Sequence, residues 1–261
     1  MKLALYGATG RMGLAIARLA QAAGDVQIVG GVCADQDPGL GRDIGELAGI
    51  GSIGVVTSAD VASALLGADV VIDFSVAPAV TSLLAVAARQ KVAVVSGTTN
   101  LDDAAKKAFD KAAQSVPVLW SPNMSLGVQV LAELVQQAIR RLGAGFDVEI
   151  TEIHHKKKID SPSGTAKRLA EAARAARPEL REVHGRSGDV GARANDEMAV
   201  YGLRGGDVVG DHTVYLFGQG ERLELTHRAS NRDLFAHGAL VAARYLSGKP
   251  PKRYTIADVL G

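Results

Sequence analysis

The sequence predicts an α/β fold in two parts: a doubly wound domain around a parallel sheet, followed by an α+β domain with a mixed sheet. Through the first half of the chain, short apolar runs alternate with longer Ala-rich segments of helical period, which is the pattern of repeated β-α units. After Asn123 the chain changes to longer helices and to strands joined by glycine turns, which is typical of antiparallel or mixed sheets.

The apolar runs of the first half predict five strands, at 2–6, 26–33, 70–74, 92–96 and 116–120. Between them, helices are predicted at 12–23, 77–89 and 101–113, with a shorter one at 59–66. In the second half we predict a long helix at 126–142, a strand at 147–154 and a helix at 164–176. Three strands are predicted between 198 and 228, with turns at 205–206 and 218–220, and a last helix at 234–246 that pattern alone assigns to neither domain.

Composition narrows the class of protein. Hydrophobic residues make up 47% of the 261 residues and charged residues 22%, as in a compact globular chain. The formal charge of +1 argues against a broad nucleic-acid surface. The only cysteine, Cys33, excludes an internal disulfide and disfavours a cysteine-built metal centre, so we expect a reducing, cytoplasmic setting and no metal. No apolar run is long enough for a membrane span, and the first residues do not fit a signal peptide.

A glycine-rich turn, with Gly7, Gly10 and Gly13, lies between the first predicted strand and its helix. Such a turn lets the backbone approach a pyrophosphate, and the helix N-terminus adds unpaired N–H groups. The G-x-x-G-x-x-G spacing is a weak signal, because an ordinary β-α turn also uses glycine. An acid at the end of the second strand would support a dinucleotide site, but Cys33 stands there and the first acid is Asp35.

Two further loops follow later strands, Asp73-Phe74-Ser75 and Gly97-Thr98-Thr99. Ligands of open parallel sheets bind beyond the carboxyl ends of the strands, so both loops are candidates for cofactor contact. Taken alone, each loop would favour the simpler interpretation of a plain turn.

The segment 152–166, EIHHKKKIDSPSGTA, contains the densest chemistry of the chain. We interpret Ser161 as a helix N-cap and Pro162 as the first helical residue. The first-turn N–H groups then belong to Ser163, Gly164 and Thr165, and with the nearby lysines they predict an anion site suited to a small dicarboxylate.

Two other interpretations of this segment stay open. Residues His154 to Lys158 could be a solvated basic edge or a phosphate contact. Strand alternation argues against uniform solvation, because His154, Lys156 and Lys158 would share one side if the strand continued. A metal held by His154 and His155 is disfavoured, since adjacent strand residues point apart.

With these residues in view, the chain closely resembles the dihydrodipicolinate reductase family over nearly its whole length. The resemblance rests on GxxGRMG at 7–13, DFS at 73–75, GTT at 97–99, PNMSLG at 122–127, HHxxKxDxPSGT at 154–165 and RGGDVVGDH at 204–212. It implies a Rossmann-like dinucleotide domain formed by 1–124 with 233–261, and a domain for substrate binding and tetramerisation at 125–232. The last helix is thereby assigned to the first domain.

The resemblance also implies an activity: reduction by NADPH and/or NADH of 4-hydroxy-tetrahydrodipicolinate (dihydrodipicolinate) to tetrahydrodipicolinate, on the diaminopimelate route to lysine. His154 matches the family's proton donor, and together with Lys158 it forms the expected catalytic pair. The residues that match the carboxylate-binding positions are His155, Lys158, Ser163, Gly164 and Thr165. Those that match the cofactor site are Gly7, Gly10, Arg11, Met12, Gly13, Cys33, Asp73, Phe74, Ser75, Gly97, Thr98, Thr99, Asn123 and Met124.

The chain departs from the family pattern at Cys33, where many members have an acid, and at Asn100, where glycine is common. Without an acid at position 33 to repel a 2′-phosphate, and with Arg11 within possible reach of it, we expect NADPH to be used at least as well as NADH. Two rival functions remain at this level: another two-domain amino-acid dehydrogenase, and a dinucleotide-sensing regulator that contacts DNA. The near-neutral charge and the lack of a helix-turn-helix pattern count against the regulator.

Overall fold

A computed structural model describes residues 1–261, which form two compact units. The first contains Met1–Ser125 and Asp233–Gly261, and the second contains Leu126–Arg232. The division lies one residue from the predicted boundary. None of the helices combines the length and the apolar composition that crossing a bilayer requires.

Twelve strands and nine α-helices make up the two units. The strands are β1 (Lys2–Tyr6), β2 (Gln27–Val32), β3 (Thr57–Ser58), β4 (Val70–Asp73), β5 (Ala93–Ser96), β6 (Val118–Trp120), β7 (Asp147–His154), β8 (Arg181–Val183), β9 (Glu197–Arg204), β10 (Gly210–Phe217), β11 (Arg222–Ala229) and β12 (Arg253–Tyr254). The helices are α1 (Arg11–Ala23), α2 (Ile44–Ala48), α3 (Val61–Ala64), α4 (Ala77–Gln90), α5 (Asp103–Ala112), α6 (Leu126–Leu142), α7 (Gly164–Ala176), α8 (Asp233–Leu246) and α9 (Ile256–Leu260).

The first unit is built on a seven-stranded parallel sheet with the order β12-β6-β5-β4-β1-β2-β3. Its central strands β4 and β5 are apolar up to their last residues, Asp73 and Ser96, and all four residues of each strand are buried. Continuous apolar strands of this kind need cover on both faces, which is the arrangement of a doubly wound domain. Helix α8 packs against α1, β4 and β5, so the last helix completes this unit, as the resemblance implied.

The second unit has a five-stranded mixed sheet with the order β11-β10-β7-β9-β8. Strand β7 runs antiparallel to β10 and parallel to β9. Its buried residues alternate, and Val148 and Ile150 join the apolar core with residues of α6 and α7. Because side chains two apart on a strand share a face, Glu152 and His154 continue the same buried row. The polar end of this row becomes the centre of the candidate site.

The predicted fold class is confirmed, and every predicted strand lies within two residues of the observed one. The predicted helix at 59–66 is shorter, Val61–Ala64. Five elements have no counterpart in the prediction: α2, β3, β8, β12 and α9. None exceeds five residues, which is too short to establish a helical or strand period in a sequence.

Asp43 organises the segment between β2 and β3. Its buried carboxylate accepts hydrogen bonds from five groups: the N–H groups of Gly45, Glu46, Ile53 and Gly54 and the hydroxyl of Ser52. Burial raises the pKa of Asp43, but these hydrogen bonds to the ionised form outweigh it and hold the pKa at about 2. One carboxylate therefore caps α2 and also closes the loop that returns to β3.

We predict that Asp43→Asn lowers the stability of the protein, and that the loss depends on pH. The folded pKa lies below the usual value of about 3.9, so the ionised group stabilises the fold above about pH 4, and this contribution is lost as the pH falls toward 2. Urea unfolding at pH 7, 5 and 3 is the measurement: the gap between wild type and variant should narrow at the lowest pH. A gap that stays constant would contradict the role of the charge.

The matched control is Asp60→Asn, because Asp60 caps α3 through a single hydrogen bond from Ala62 N–H. Because Asn caps a helix about as well as Asp, this change should have little effect on stability, far less than the change at Asp43.

Candidate active site

The glycine turn between β1 and α1 is shaped by close backbone contacts. Gly7 has a positive φ of 80°, and the N–H groups of Gly7 and Ala8 both donate to the carbonyl of Val32 at 2.9 Å. A Cβ at Gly13 would lie 2.4 Å from the carbonyl oxygen of Gly7, so only glycine fits there. Helix α1 starts after Gly10 with no side-chain cap. Its first N–H groups are therefore available to an anion.

One cavity, of about 480 Å³, lies beside this turn at the end of β2. Gly7, Gly10 and Cys33 line it, and so do two acids, Asp35 and Asp37. No lysine or arginine lines it. Asp37 accepts a hydrogen bond from the hydroxyl of Thr9 at 2.8 Å, which joins the acid to the glycine turn.

A second cavity, of about 420 Å³, is formed by the turn and the loops after β4, β5 and β6. Predicted cofactor residues on its wall are Arg11, Met12, Phe74, Ser75, Gly97, Thr98, Thr99 and Met124. Phe74 and Ser75 border both cavities. The hydroxyl oxygen of Ser75 is buried and has no hydrogen-bond partner, which is unusual unless a ligand supplies one.

Three residues predicted to contact the cofactor, Gly13, Asp73 and Asn123, line neither cavity. The fully buried carboxylate of Asp73 accepts hydrogen bonds from the hydroxyls of Ser96 and Thr98, at 2.6 and 2.9 Å, and from the Ser75 N–H at 2.9 Å. Asp73 thus holds the two loops that form the cavity walls.

In the second unit, Glu152 is the centre of a buried polar network. The carboxylate has no exposed surface and receives both terminal nitrogens of Arg204 at 2.8 Å. It also contacts Nδ1 of His154 at 2.5 Å and accepts from the Ser163 N–H at 3.1 Å. Burial raises the pKa of Glu152, but the hydrogen bonds from Arg204, His154 and Ser163 outweigh it and the pKa is lowered. The carboxylate is therefore ionised at neutral pH.

Helix α7 has the predicted bounds, but its N-cap lies two residues after the predicted one. Ser163, and not Ser161, is the N-cap: its backbone is extended and its hydroxyl accepts from the Ala166 N–H at 3.2 Å. The Ser163 N–H donates to Glu152 and is not part of the anion site. The open helix start therefore begins at Gly164, whose Cα is exposed and unobstructed.

The predicted alternation of residues 154–158 is wrong, because β7 ends at His154 and the chain turns there. The Lys158 N–H donates to the carbonyl of His155 within this turn. Lys156 and Lys157 are exposed, whereas His155 and Lys158 are half-buried. The Lys158 amine contacts Asp160 Oδ1 at 2.7 Å, so one lysine of the run lies within the network.

The ring of His155 has different contacts from the ring of His154. Its Nε2 is 3.1 Å from a terminal nitrogen of Arg232, while its Nδ1 is buried without a hydrogen-bond partner. The guanidinium can only donate, so Nε2 accepts and Nδ1 bears the proton of the neutral ring. The ring thus has a buried N–H group that could donate a hydrogen bond to a ligand oxygen.

Two histidine rings meet beside the start of α7. The rings of His154 and His212 are perpendicular, with centroids 5.1 Å apart, and His212 Nε2 lies 3.0 Å from the Ser163 hydroxyl. Burial lowers the pKa of His212 to about 3. Burial also lowers the pKa of His154, although the hydrogen bond and the charge of Glu152 act in the opposite direction. Both rings are therefore neutral at pH 7 in the protein alone.

The structure thus brings together His154, Lys158 and Ser163 as predicted, and adds three residues that were not predicted as site residues: Glu152, Arg204 and His212. The period of two along β7 could have identified Glu152. Arg204 and His212 lie on neighbouring strands, where they pair in register with His154 and Glu152 respectively. No spacing within the sequence reveals that pairing.

A parallel-sheet unit with an uncapped glycine turn, joined to a second unit with a buried His–Glu pair at a helix start, defines a two-domain dinucleotide-dependent oxidoreductase. Solved structures of this class share the fold. One is an amine dehydrogenase from Mycobacterium smegmatis, with a TM-score of 0.63 at 15% identity over 98% of this chain and 95% of the other.

Comparison with known families makes the assignment specific. The family models "Dihydrodipicolinate reductase, N-terminus" and "Dihydrodipicolinate reductase, C-terminus" match residues 1–124 and 127–260. The chain belongs to the dihydrodipicolinate reductase family. It is 49% identical to a 4-hydroxy-tetrahydrodipicolinate reductase of Anaeromyxobacter dehalogenans, over all of this chain and 97% of the relative. It is 45% identical to the enzyme of that name from Myxococcus xanthus, over all of this chain and 98% of the relative.

The fold agrees with a solved member of the family. The dipicolinate-bound dihydrodipicolinate reductase from Paenisporosarcina sp. TG-14 has a TM-score of 0.78 with this chain, at 20% identity. The match covers 98% of this chain and 97% of the other.

Proposed function

We propose that this chain is a 4-hydroxy-tetrahydrodipicolinate reductase, which uses NAD(P)H to form tetrahydrodipicolinate on the diaminopimelate route to lysine. The overall reaction adds a hydride and a proton to the ring, releases water from the 4-hydroxy substrate and yields the oxidised cofactor. One observation carries the proposal: a buried histidine, a lysine and a helix start lie together in a chain of this family. They are His154, Lys158 and the first turn of α7.

The first unit fits a nicotinamide dinucleotide. The close backbone turn at Gly7 and Gly13, the uncapped start of α1 and the unpartnered Ser75 hydroxyl are the features that such a cofactor would use. When bound, the cofactor supplies the hydride. Residues of the cavity near Cys33 would hold the adenosine half, and those near Thr98 and Met124 would hold the nicotinamide half.

The second unit fits a small ring with two carboxylates. The Lys158 amine and the His155 Nδ1–H offer donors after β7, and Gly164 and Thr165 offer the first turn of α7. The solved relative from Paenisporosarcina contains dipicolinate, which is a planar ring of this kind. Such a clamp would fix the orientation of the ring for hydride transfer.

His154 is suited to deliver the proton. The ionised Glu152 carboxylate can only accept a hydrogen bond, so Nδ1 of His154 is the donor in that contact and Nε2 is the nitrogen left for the ligand. Gly210 lies beside Nε2: a Cβ there would come within 2.9 Å of it. Two substrate carboxylates nearby would favour the protonated ring, and so the acid would be charged when the substrate is bound.

We further propose that the chain assembles as a homotetramer, as the family resemblance implies. The unit formed by Leu126–Arg232 supports this, because α6 and α7 cover one face of its sheet. Tyr215 and Phe217 stack on β10 at 5.6 Å, with Phe217 exposed.

A coupled assay tests the proposed function. The synthase of the preceding step supplies the unstable ring substrate, and the loss of NADH or NADPH absorbance is followed. We expect cofactor oxidation that depends on the substrate and is inhibited competitively by pyridine-2,6-dicarboxylate. Salt-sensitive DNA binding without cofactor oxidation would favour the regulator instead.

We predict that Lys158→Ala lowers kcat/KM by at least about two orders of magnitude. Losing a charge-assisted contact to the reacting ligand should cost on the order of 2–4 kcal/mol. The control is Lys157→Ala, since Lys157 is the exposed neighbour in the same turn and should keep its kcat/KM within about twofold. If Lys158→Ala retains more than a third of wild-type kcat/KM, Lys158 belongs to the solvated edge of the protein.

The cavity at the end of β2 changes the expected cofactor preference. Arg11 lines the second cavity and not this one, while Asp35 and Asp37 line this one without any basic side chain. Acids near the adenosine ribose would repel a 2′-phosphate. We therefore propose that NADH is preferred to NADPH, which reverses the preference expected from the sequence.

We predict a kcat/KM at least about tenfold higher for NADH than for NADPH, equivalent to about 1.4 kcal/mol. Asp35→Ala should reduce this ratio and Cys33→Glu should increase it, because they remove and add a negative charge at the same cavity. Both cofactors are compared by steady-state kinetics, with Asp103→Ala, an exposed acid on α5, as the control. Equal use of the two cofactors by wild type would refute the role of the two acids.

A further inference from the structure

We infer that Glu152 is a positioning residue that holds both the proton donor and the substrate-binding helix start in place, with the half-buried Arg204 as its counter-ion. The inference rests on the proposed function for the roles of His154 and α7. The geometry itself is independent of it: one carboxylate contacts His154, Ser163 and Arg204.

The two carboxylate oxygens of Glu152 have different partners. Oε2 contacts Nδ1 of His154 at 2.5 Å and the first terminal nitrogen of Arg204 at 2.8 Å. Oε1 accepts from the Ser163 N–H at 3.1 Å and from the second terminal nitrogen of Arg204 at 2.8 Å. The proton donor and the cap of α7 are thereby tied to a single rigid group, and neither can move without breaking a charged hydrogen bond.

Arg204 also connects Glu152 to the loop between β7 and α7. Its Nη2 also donates to the carbonyl of Asp160 at 2.6 Å, and the side chain of Asp160 contacts the Lys158 amine. A chain of contacts thus runs from the buried carboxylate to the lysine that would bind substrate. Gly202, on β9, leaves room for this network, because a Cβ there would lie 2.9 Å from Glu152 Oε1.

Glu152 also controls which ring nitrogen of His154 faces the ligand. An ionised carboxylate keeps the proton on Nδ1 of the neutral ring and stabilises the charged ring. The other charged or titratable groups facing His154 are Lys158 from the loop, Arg204 from β9 and His212 from β10. Glu152 is the acid of this set, and its carboxylate contacts the ring.

The test is Glu152→Gln, which keeps the shape of the side chain and removes its charge. We expect kcat to fall at least about thirtyfold. KM for the ring substrate and the Kd for NADH should change by less than about threefold, because the amide oxygen of Gln can still accept from the Ser163 N–H and keep the start of α7 in place. We also expect the pKa of His154, followed by NMR titration of the ring, to fall by about one pH unit or more. The descending limb of the kcat profile should move to lower pH with it, because less of the acid is protonated at a given pH.

The matched control is Glu149→Gln. Glu149 lies on the same strand, on the opposite face from Glu152, and it also pairs with arginines, in its case Arg186 and Arg193. This variant should keep kcat within about twofold and leave the pKa of His154 unchanged.

A double variant, Glu152→Gln with Arg204→Met, separates positioning from stability. The single change leaves the half-buried Arg204 without its charged partner, which destabilises a fold, whereas removing both charges often restores stability. We expect the double variant to recover thermal stability but not kcat or the pKa of His154. Recovery of kcat together with stability would overturn the inference, as would a single variant with wild-type kcat and wild-type His154 pKa. If wild type does not oxidise the cofactor, the proposed function falls, and the NMR titration alone then decides the role of Glu152.

Discussion

The second unit depends on one ion pair, between the buried Glu152 and the half-buried Arg204. A carboxylate without exposed surface is costly to remove from water, and it stays ionised only because all of its strong acceptor positions are used. Arg204 offers two parallel donors, and His154 and Ser163 offer one each. Because all of these hydrogen bonds are made, the ion pair fixes the end of β7, the start of α7 and the loop between them.

This restriction explains why only one of the three adjacent lysines lies beside the polar network. Lys156 and Lys157 are exposed and carry ordinary surface charge, whereas Lys158 is drawn back by the turn after β7 and by Asp160. Three adjacent lysines with the same chemistry are thus placed in different environments. The difference comes from where the strand ends, which is set by packing and not by the identity of the lysines.

The first unit uses a buried acid in a similar way. Asp73 lies at the end of β4 and holds the loops that carry Ser75 and Thr98, so the walls of both cavities are fixed by hydrogen bonds beneath them. In each unit a buried carboxylate orders the loop or helix start beside it. The binding of a cofactor or substrate then loses little free energy to the ordering of these loops.

The sequence by itself determined the two-domain fold class, the longer helices and strands, the glycine turn and the family, because apolar periodicity and motif spacing are local properties of a chain. From the same local patterns it predicts His154, Lys158 and Ser163 as site residues. Elements of five residues or fewer were missed, since they are too short to show a period. The cap of α7 was assigned to Ser161 because Ser161 and Ser163, on either side of Pro162, satisfy the same rule. Only the tertiary structure joined Arg204 and His212 to Glu152 and separated Arg11 from the cavity near Cys33, because strand register and loop packing join residues that no local spacing relates.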